Sequence, residues 1–167
     1  MGAVLAREEF ICRAMELKAE GKVLVFTNGI FDILHVGHAR YLAAARALGD
    51  VLLVGVNGDS SARSLKGAPR PILPELERAE LVAALGVVDY VAIFDEPTAE
   101  ELVRVIEPDI YAKGGDYFPQ GGKELPEAKA VASFGGQVKI LPLYPGHSTS
   151  EILARIQRAY AQANTQS

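Results

Sequence analysis

The sequence predicts a single three-layer α/β/α domain on a parallel β-sheet, and three observations point there. Apolar, β-rich runs alternate with helix-period segments along the whole chain. The runs are nearly continuous in apolar residues, as in Val51-Leu52-Leu53-Val54-Gly55-Val56, which suits strands covered on both faces. The 167 residues include 49% hydrophobic and 23% charged side chains, ordinary values for one globular unit with a full core.

Five strands are expected, at 23–27, 51–56, 90–94, 109–112 and 138–141, in the spatial order 3-2-1-4-5. Helical patterns fall at 38–48, 74–85, 98–106 and 124–134, with flanking helices at 5–20 and 149–163. The alternation reads as successive βαβ units, a Rossmann-like arrangement with helices on both faces of a five-stranded sheet. The chain divides into an N-terminal helix (1–21), an α/β core (22–148) and a C-terminal helix (149–163), within one domain over 1–167. No repeat, low-complexity tract or long linker suggests a second domain.

Several boundaries carry local signals. Gly21 and Gly49 each follow a helix where a left-handed C′ residue is expected. Pro74 suits a first helical position, with Glu75 and Glu77 near the positive end of the helix dipole. Ser148, with Glu151 three residues on, reads as a capping box for the last helix.

The net charge of -4 argues against a nucleic-acid partner, which needs a basic face, but leaves a small phosphorylated ligand open. The single Cys12 cannot form an internal disulfide, which suits a reducing compartment. No signal peptide is visible, and the most apolar stretch, 81–94, is interrupted by Gly86 and Asp89 and too short to span a bilayer. The expectation is a cytoplasmic protein without a membrane partner.

In open α/β sheets, ligands bind beyond the carboxyl ends of the strands, and the unusual residues gather at those ends. Thr27-Asn28-Gly29-Ile30-Phe31-Asp32-Ile33-Leu34-His35-Val36-Gly37-His38 follows the first strand, and Asn57-Gly58-Asp59 the second. Lys113-Gly114-Gly115-Asp116 follows the fourth, and Gly146-His147-Ser148-Thr149-Ser150 the fifth. All 3 histidines lie in these segments. The first segment has neither a G-x-G-x-x-G nor a Walker lysine, which disfavours dinucleotide dehydrogenases and P-loop NTPases.

His35 and His38 stand three residues apart where a loop enters a helix, with Gly37 between them. Taken alone they fit two readings, polar residues satisfying a loop or a cradle for an anion at a helix start. A helix N-terminus disfavours extra positive charge, so neutral imidazoles are expected until an anion binds. Zinc needs three or four ligands and only Asp32, Cys12 or His147 could assist, so no metal site is expected. Lys66, with Arg63 and Arg70 nearby, is expected in a Gly/Pro-containing loop that either closes over phosphates or is simply solvated. Glycines 114 and 115 fit a turn or a close approach to ligand. Ser148–Ser150 fit a helix cap or a second anion site. Tyr117, Phe118 and Tyr144 fit partial burial or stacking on a base.

The Gly-x-Phe-Asp and His-x-Gly-His motifs, with the distal Gly-His-Ser-Thr-Ser, resemble the cytidylyltransferase-like branch of the HxGH nucleotidyltransferases. The string Val-Phe-Thr-Asn-Gly-Ile-Phe-Asp-Ile-Leu-His-Val-Gly-His-Ala-Arg-Tyr-Leu is similar to the adenylyltransferase module of ADP-heptose synthesis. So are Leu65-Lys66-Gly67, Arg70-Pro71-Ile72, Arg78-Ala79-Glu80, Val88-Asp89-Tyr90-Val91 and Lys113-Gly114-Gly115-Asp116-Tyr117, in the same order, over about 21–156.

The resemblance implies transfer of a nucleoside monophosphate from an NTP to a phosphorylated acceptor, with Mg2+ carried by the nucleotide phosphates. Its leading form is AMP transfer from ATP to heptose 1-phosphate. The rivals are cytidylyl transfer from CTP to glycerol 3-phosphate and, in another class, a non-catalytic nucleotide-binding regulatory module. It implies catalytic roles for His35, His38 and Lys66. It implies nucleotide contacts from Asn28, Gly29, Ile30, Phe31, Gly37, Lys113, Gly115, Asp116, Gly146, His147, Ser148, Thr149 and Ser150. Thr27, Asp32, Asn57, Asp59 and Arg78 would face the acceptor or its phosphate. A homodimer is also implied, and any kinase step is expected from a separate protein.

Two departures bear on the acceptor. Makers of CDP-glycerol carry an arginine where this chain has Leu143, which leans the reading toward ATP and a sugar phosphate. Relatives of both kinds often carry a basic residue where this chain has Gly86, which would alter the acceptor if that side chain touched it.

Overall fold

The computed structural model describes residues 2–115, 125–142, 144 and 146–165, the last two as backbone. Its strands are β1 (Ala3–Val4), β2 (Leu24–Gly29), β3 (Val51–Asn57), β4 (Tyr90–Phe94), β5 (Ile110–Gly114) and β6 (Gln137–Leu141). Its helices are α1 (Arg7–Ala19), α2 (Val36–Arg46), α3 (Asp59–Lys66), α4 (Glu75–Ala83), α5 (Glu100–Ile106), α6 (Glu127–Ser133) and α7 (Thr149–Thr165). All strand pairs are parallel, in the order β1-β4-β3-β2-β5-β6. The expected five-strand order is present, extended by one edge strand. That strand, β1, takes the first residues into the sheet beside Tyr90 and Val91, so the N-terminal helix begins at Arg7 rather than Leu5.

Side chains alternate between the two faces of each strand, and the two cores follow. Leu24 and Phe26 of β2 and Leu53 of β3 pack with Phe10 and Ala14 of α1, Leu102 and Ile106 of α5, and Val131 of α6. Val25, Leu52 and Val54 face the other way, onto Leu42 and Ala45 of α2 and Ala79 and Val82 of α4. Both faces of β3 are therefore buried, as its unbroken apolar run requires.

The N-terminal edge of the sheet is pegged by carboxylates. Asp50 accepts from the Val23 N–H at 2.8 Å, Asp109 from Leu24 at 2.7 Å and Asp89 from Leu52 at 2.8 Å. Gly21 has φ 78 at a helix end, as expected. Gly49 is required for a different reason than expected: a Cβ there would stand 2.7 Å from the Val23 carbonyl oxygen, so close backbone approach is what excludes a side chain. Pro74 is the N-cap of α4, not its first helical residue. Ser148 does cap α7, its Oγ accepting from the Glu151 N–H at 3.2 Å and donating to the Glu151 carboxylate at 3.0 Å.

A larger correction concerns the segment after β3, expected as a loop. Residues Asp59–Lys66 form α3, ended by Gly67 at φ 74. Glu75 accepts from the Asp59 N–H at 2.6 Å, satisfying one orphan donor at the helix start. Lys66 falls in the last turn, where a cation suits the negative end of the dipole.

Candidate active site

The order of the sheet reverses at β2, which has β3 on one side and β5 on the other. β2 pairs with β3 over six residues but with β5 only at Val25↔Ile110 and Phe26↔Tyr111. Beyond those pairs β2 and β5 are joined by side chains. The Tyr41 hydroxyl lies 2.7 Å from the Thr27 hydroxyl and donates to the Ala112 carbonyl at 3.0 Å. Asn28 Oδ1 accepts from the Tyr111 hydroxyl at 2.6 Å and from Lys113 Nζ at 2.7 Å. Burial pushes Lys113 down to about 8, opposed by the charge of Glu127. This parting is the crevice where doubly wound sheets bind ligands.

The loop from β2 to α2 is strained and heavily braced. Phe31 and Ile33 both take φ 52, a conformation costly for any residue with a Cβ and most of all for a β-branched one. The Phe31 ring packs against Gly29 and lies edge-on to the His38 ring, centroids 5.3 Å apart. Asp32, 1% exposed, accepts from the Ile72 N–H at 3.0 Å, the Leu73 N–H at 3.1 Å and Arg70 Nε at 2.5 Å. Burial alone would raise its carboxyl, but these donors hold it below the usual range.

His35 is the N-cap of α2, and its Nδ1 accepts from the His38 N–H at 3.3 Å. A neutral ring accepting at Nδ1 carries its proton on Nε2. The His35 and His38 rings stack with centroids 3.7 Å apart and planes 19° apart. Burial, then the neighbouring imidazole, pushes His38 down from 6.5 to about 4. Burial and His147 lower His35 in the same way, against Glu151. Both rings are neutral near pH 7. His38 Nδ1 is buried and finds no hydrogen-bond partner among the described residues. Buried polar atoms are nearly always paired, so this nitrogen stands open to a partner beyond the described residues.

The closing segment reaches this pair. Thr149 Oγ1 donates to the Asp32 carbonyl at 2.6 Å, and His147 stands beside Gly37. A Cβ on Gly37 would lie 2.9 Å from His35 Nδ1 and 3.1 Å from His147 Cβ. Gly37→Ala is therefore expected to displace both imidazoles and lower turnover by at least about tenfold, with only a modest fall in Tm, since the cost falls on the site. Turnover and thermal melts measured on the same preparation check this.

The structure thus brings together Thr27, Asn28, Gly29, Phe31, Asp32, His35, Gly37, His38, Lys113, His147, Ser148 and Thr149. The structure places the other expected residues as follows. Arg78, expected to face the acceptor, is 0% exposed and spends its guanidinium on protein. It donates to the carbonyls of Ile30 at 2.6 Å, Asn57 at 2.8 Å and Leu73 at 2.9 Å, and pairs with Asp59 at 2.7 Å. Arg78 is a brace for three segments, and it occupies the Ile30 carbonyl expected to approach nucleotide. Asn57, 3% exposed, bonds the Ser61 hydroxyl, and Thr27 and Asp32 are likewise committed internally. Lys66 is exposed and makes no hydrogen bond or ion pair with the histidines among the described residues. Ser150 is exposed, as is Gly115. Gly86 is exposed on the turn that feeds the start of β4, at the opposite end of the sheet from the histidines, so its identity does not bear on this site. Asp116, Tyr117, Phe118 and Leu143 lie outside the described residues. Arg70, named above in a loop that could close over phosphates, instead braces Asp32; Tyr41 and Tyr111 also hold the site together, and the one sequence signal for either is Tyr41's place one turn after His38 on α2.

Comparison with known proteins agrees with this geometry. Residues 26–155 match the cytidylyltransferase-like family. The bifunctional protein HldE of Geobacter metallireducens is 49% identical over 147 residues, which is 87% of this chain and 29% of that protein. The HldE of Syntrophotalea carbinolica is 50% identical with the same coverage, so the chain spans less than a third of the length of these relatives. A lipopolysaccharide core biosynthesis protein of Thermoplasma volcanium superposes with a TM-score of 0.61 at 35% identity, covering 74% of this chain and 98% of that one. Pantoate–β-alanine ligase of Francisella tularensis, at 13% identity and TM-score 0.61, shares the fold alone. The fold and the histidine pair at its switch point are those of a nucleotidyltransferase. The chain belongs to the cytidylyltransferase-like family.

Proposed function

We propose that the protein transfers AMP from ATP to a sugar 1-phosphate, a heptose 1-phosphate, with release of pyrophosphate. The observation that carries the transfer chemistry is the stacked, neutral His35–His38 pair at the start of α2, with His38 Nδ1 unpartnered. The acceptor phosphate is already anionic, so the reaction needs no general base. It needs positioning and stabilisation of charge on the pyrophosphoryl group as it leaves. A neutral His35 donating from Nε2 and a neutral His38 donating from Nδ1, together with the open N–H groups of α2, would supply such donors. Asp32 and Asp59 are committed to Arg70 and Arg78, and no cluster of three His, Cys, Asp or Glu side chains that could hold a metal stands among the described residues. Magnesium would therefore come as the nucleotide complex, held by phosphate oxygens and water. It would supply charge neutralisation on the phosphates.

The choice of ATP and heptose 1-phosphate is supported by the ordered motif set resembling the ADP-heptose adenylyltransferase module. The 35% identity to a protein of lipopolysaccharide core biosynthesis supports it as well. A pyrophosphate-release assay over ATP, CTP, heptose 1-phosphate and glycerol 3-phosphate tests it. The expected result is release only with ATP and the sugar phosphate. Release with CTP and glycerol 3-phosphate would replace the proposal with the cytidylyl reading. Tight nucleotide binding with no release from any pair would make this a regulatory module.

A further inference from the structure

We propose that Arg70 binds the phosphate monoester of the acceptor, through a guanidinium that Asp32 fixes by Nε while its terminal nitrogens stay open. This rests on the transfer reading above and gives the second substrate a binding residue outside the nucleotide contacts.

The geometry starts at Asp32. The residues on either side of it, Phe31 and Ile33, both stand at φ 52, so the chain accepts strain around this one carboxylate. Its oxygens gather a single short segment, accepting from the N–H groups of Ile72 and Leu73 and from Arg70 Nε. Arg70 is held from its own backbone as well, its N–H donating to the Gly67 carbonyl at 3.0 Å. The two-point pair typical of arginine and carboxylate is not made, because Oδ1 is taken by Ile72 and Leu73. A guanidinium carries five N–H donors, and Asp32 uses only the one on Nε. Nη1 and Nη2 meet no hydrogen-bond acceptor among the described residues, on a side chain only 15% exposed. Donors left over at such a depth are costly unless a ligand takes them.

Asp32 is also where the parts of the site converge. Its charge acts on His38, and its carbonyl accepts from the Thr149 hydroxyl. Transfer brings the acceptor phosphate against the phosphate chain of the nucleotide, two anions that repel until donors separate them. Both histidines are neutral, and the start of α2 carries only a partial charge. Other described cations near the crevice are spent or distant. Arg78 serves three carbonyls and Asp59, Lys113 serves Asn28, Arg40 lies over the Tyr144 ring, and Lys66 is exposed at the end of α3. Arg70 offers two terminal groups in one plane, a spacing that matches two oxygens of one phosphate. Asp32 offsets part of its charge and sets its direction, so recognition is geometric, by parallel N–H···O bonds rather than by a bare cation.

The test compares wild type, Arg70→Lys and Arg70→Gln in turnover of ATP with heptose 1-phosphate. Calorimetry on the same proteins measures binding of a non-hydrolysable ATP analogue and of inorganic phosphate. Arg70→Lys keeps a cation for Asp32 and removes the planar fork. It is expected to raise KM for the sugar phosphate about 10- to 100-fold, the scale of lost hydrogen bonds to a charged group. Inorganic phosphate, competing with the sugar phosphate, should weaken by the same factor. Affinity for the ATP analogue and Tm should stay at wild-type values, a split that a merely structural role would not produce. Arg70→Gln should show the same kinetic loss with a lower Tm, because Asp32 loses its cation. A wild-type KM in Arg70→Lys would overturn the proposal and leave Arg70 as a brace for Asp32. Equal losses for the ATP analogue and the sugar phosphate would overturn it as well, and move Arg70 to the nucleotide. If wild type releases no pyrophosphate, the adenylyl reading falls and calorimetry with inorganic phosphate alone decides. Phosphate binding that weakens in Arg70→Lys then retains Arg70 as its ligand, and absent or equal binding removes it.

Discussion

His38→Ala is expected to lower turnover by about 10²–10³-fold, the cost of removing one preorganised donor from a developing anion. The effect should fall on kcat, because a donor that strengthens its bond only as the pyrophosphoryl group departs contributes little to ground-state binding. The same substitution carries a second signature in stability. In the folded protein His38 sits at about 4, below its ordinary 6.5. Between those values the unfolded chain binds the extra proton, so the wild type loses stability as pH falls through that window. Above pH 6.5 the burden is absent, because the ring is neutral in both states. His38→Ala should flatten this acid limb, by up to roughly 3 kcal/mol over the window, from 1.36 kcal/mol per pKa unit. Urea unfolding at about pH 4 and pH 7 reads it directly. A mutant that keeps both full turnover and the wild-type acid limb would remove His38 from the mechanism.

Arg78→Met is expected to produce the largest loss of stability, about 3–5 kcal/mol, because three carbonyls lose their donor at about 1–3 kcal/mol for each one left unsatisfied. The carbonyls of Ile30, Asn57 and Leu73 and the carboxylate of Asp59 would all lose a donor at once. For a domain of this size that corresponds to a fall in Tm of about 6–20 °C. Arg78→Lys should recover little, because a single ammonium cannot match a planar fork serving several acceptors. Thermal melts of the three proteins at equal concentration decide this. Because Ile30 and Leu73 belong to the loops flanking the histidine pair, bound ATP should narrow the gap only where the site still assembles.

The sheet was largely legible because its signals are local and repeated. Long apolar runs, helix periods between them and the His-x-Gly-His segment after the first long strand place the crevice where the structure has it. Two residues of β1 carry no period, so the edge strand is invisible until Ala3 and Val4 are seen beside Tyr90 and Val91. The segment of α3 reads as a loop because serines, glycine and prolines crowd it; its helix is held by tertiary contacts, with Ser61 buried and Glu75 binding its first N–H. Arg78 marks the sharper limit. On an amphipathic pattern an arginine reads as a surface or ligand-facing cation, and only the convergence of three carbonyls from separate segments makes a buried one stable. The motif containing Arg78 was found, and its task was not.

The carboxylate pegs at the N-terminal edge of the sheet have an evolutionary meaning. Asp50, Asp89 and Asp109 fasten strand starts at one end, while the histidine pair and the described residues that brace it lie at the other. Loops at the working end can therefore be lengthened, swapped or retuned for a new acceptor without loosening the framework that aligns the strands. Conversely, grafting the working-end loops of this chain onto a distant member of the fold should transfer selectivity while the recipient keeps its own melting behaviour.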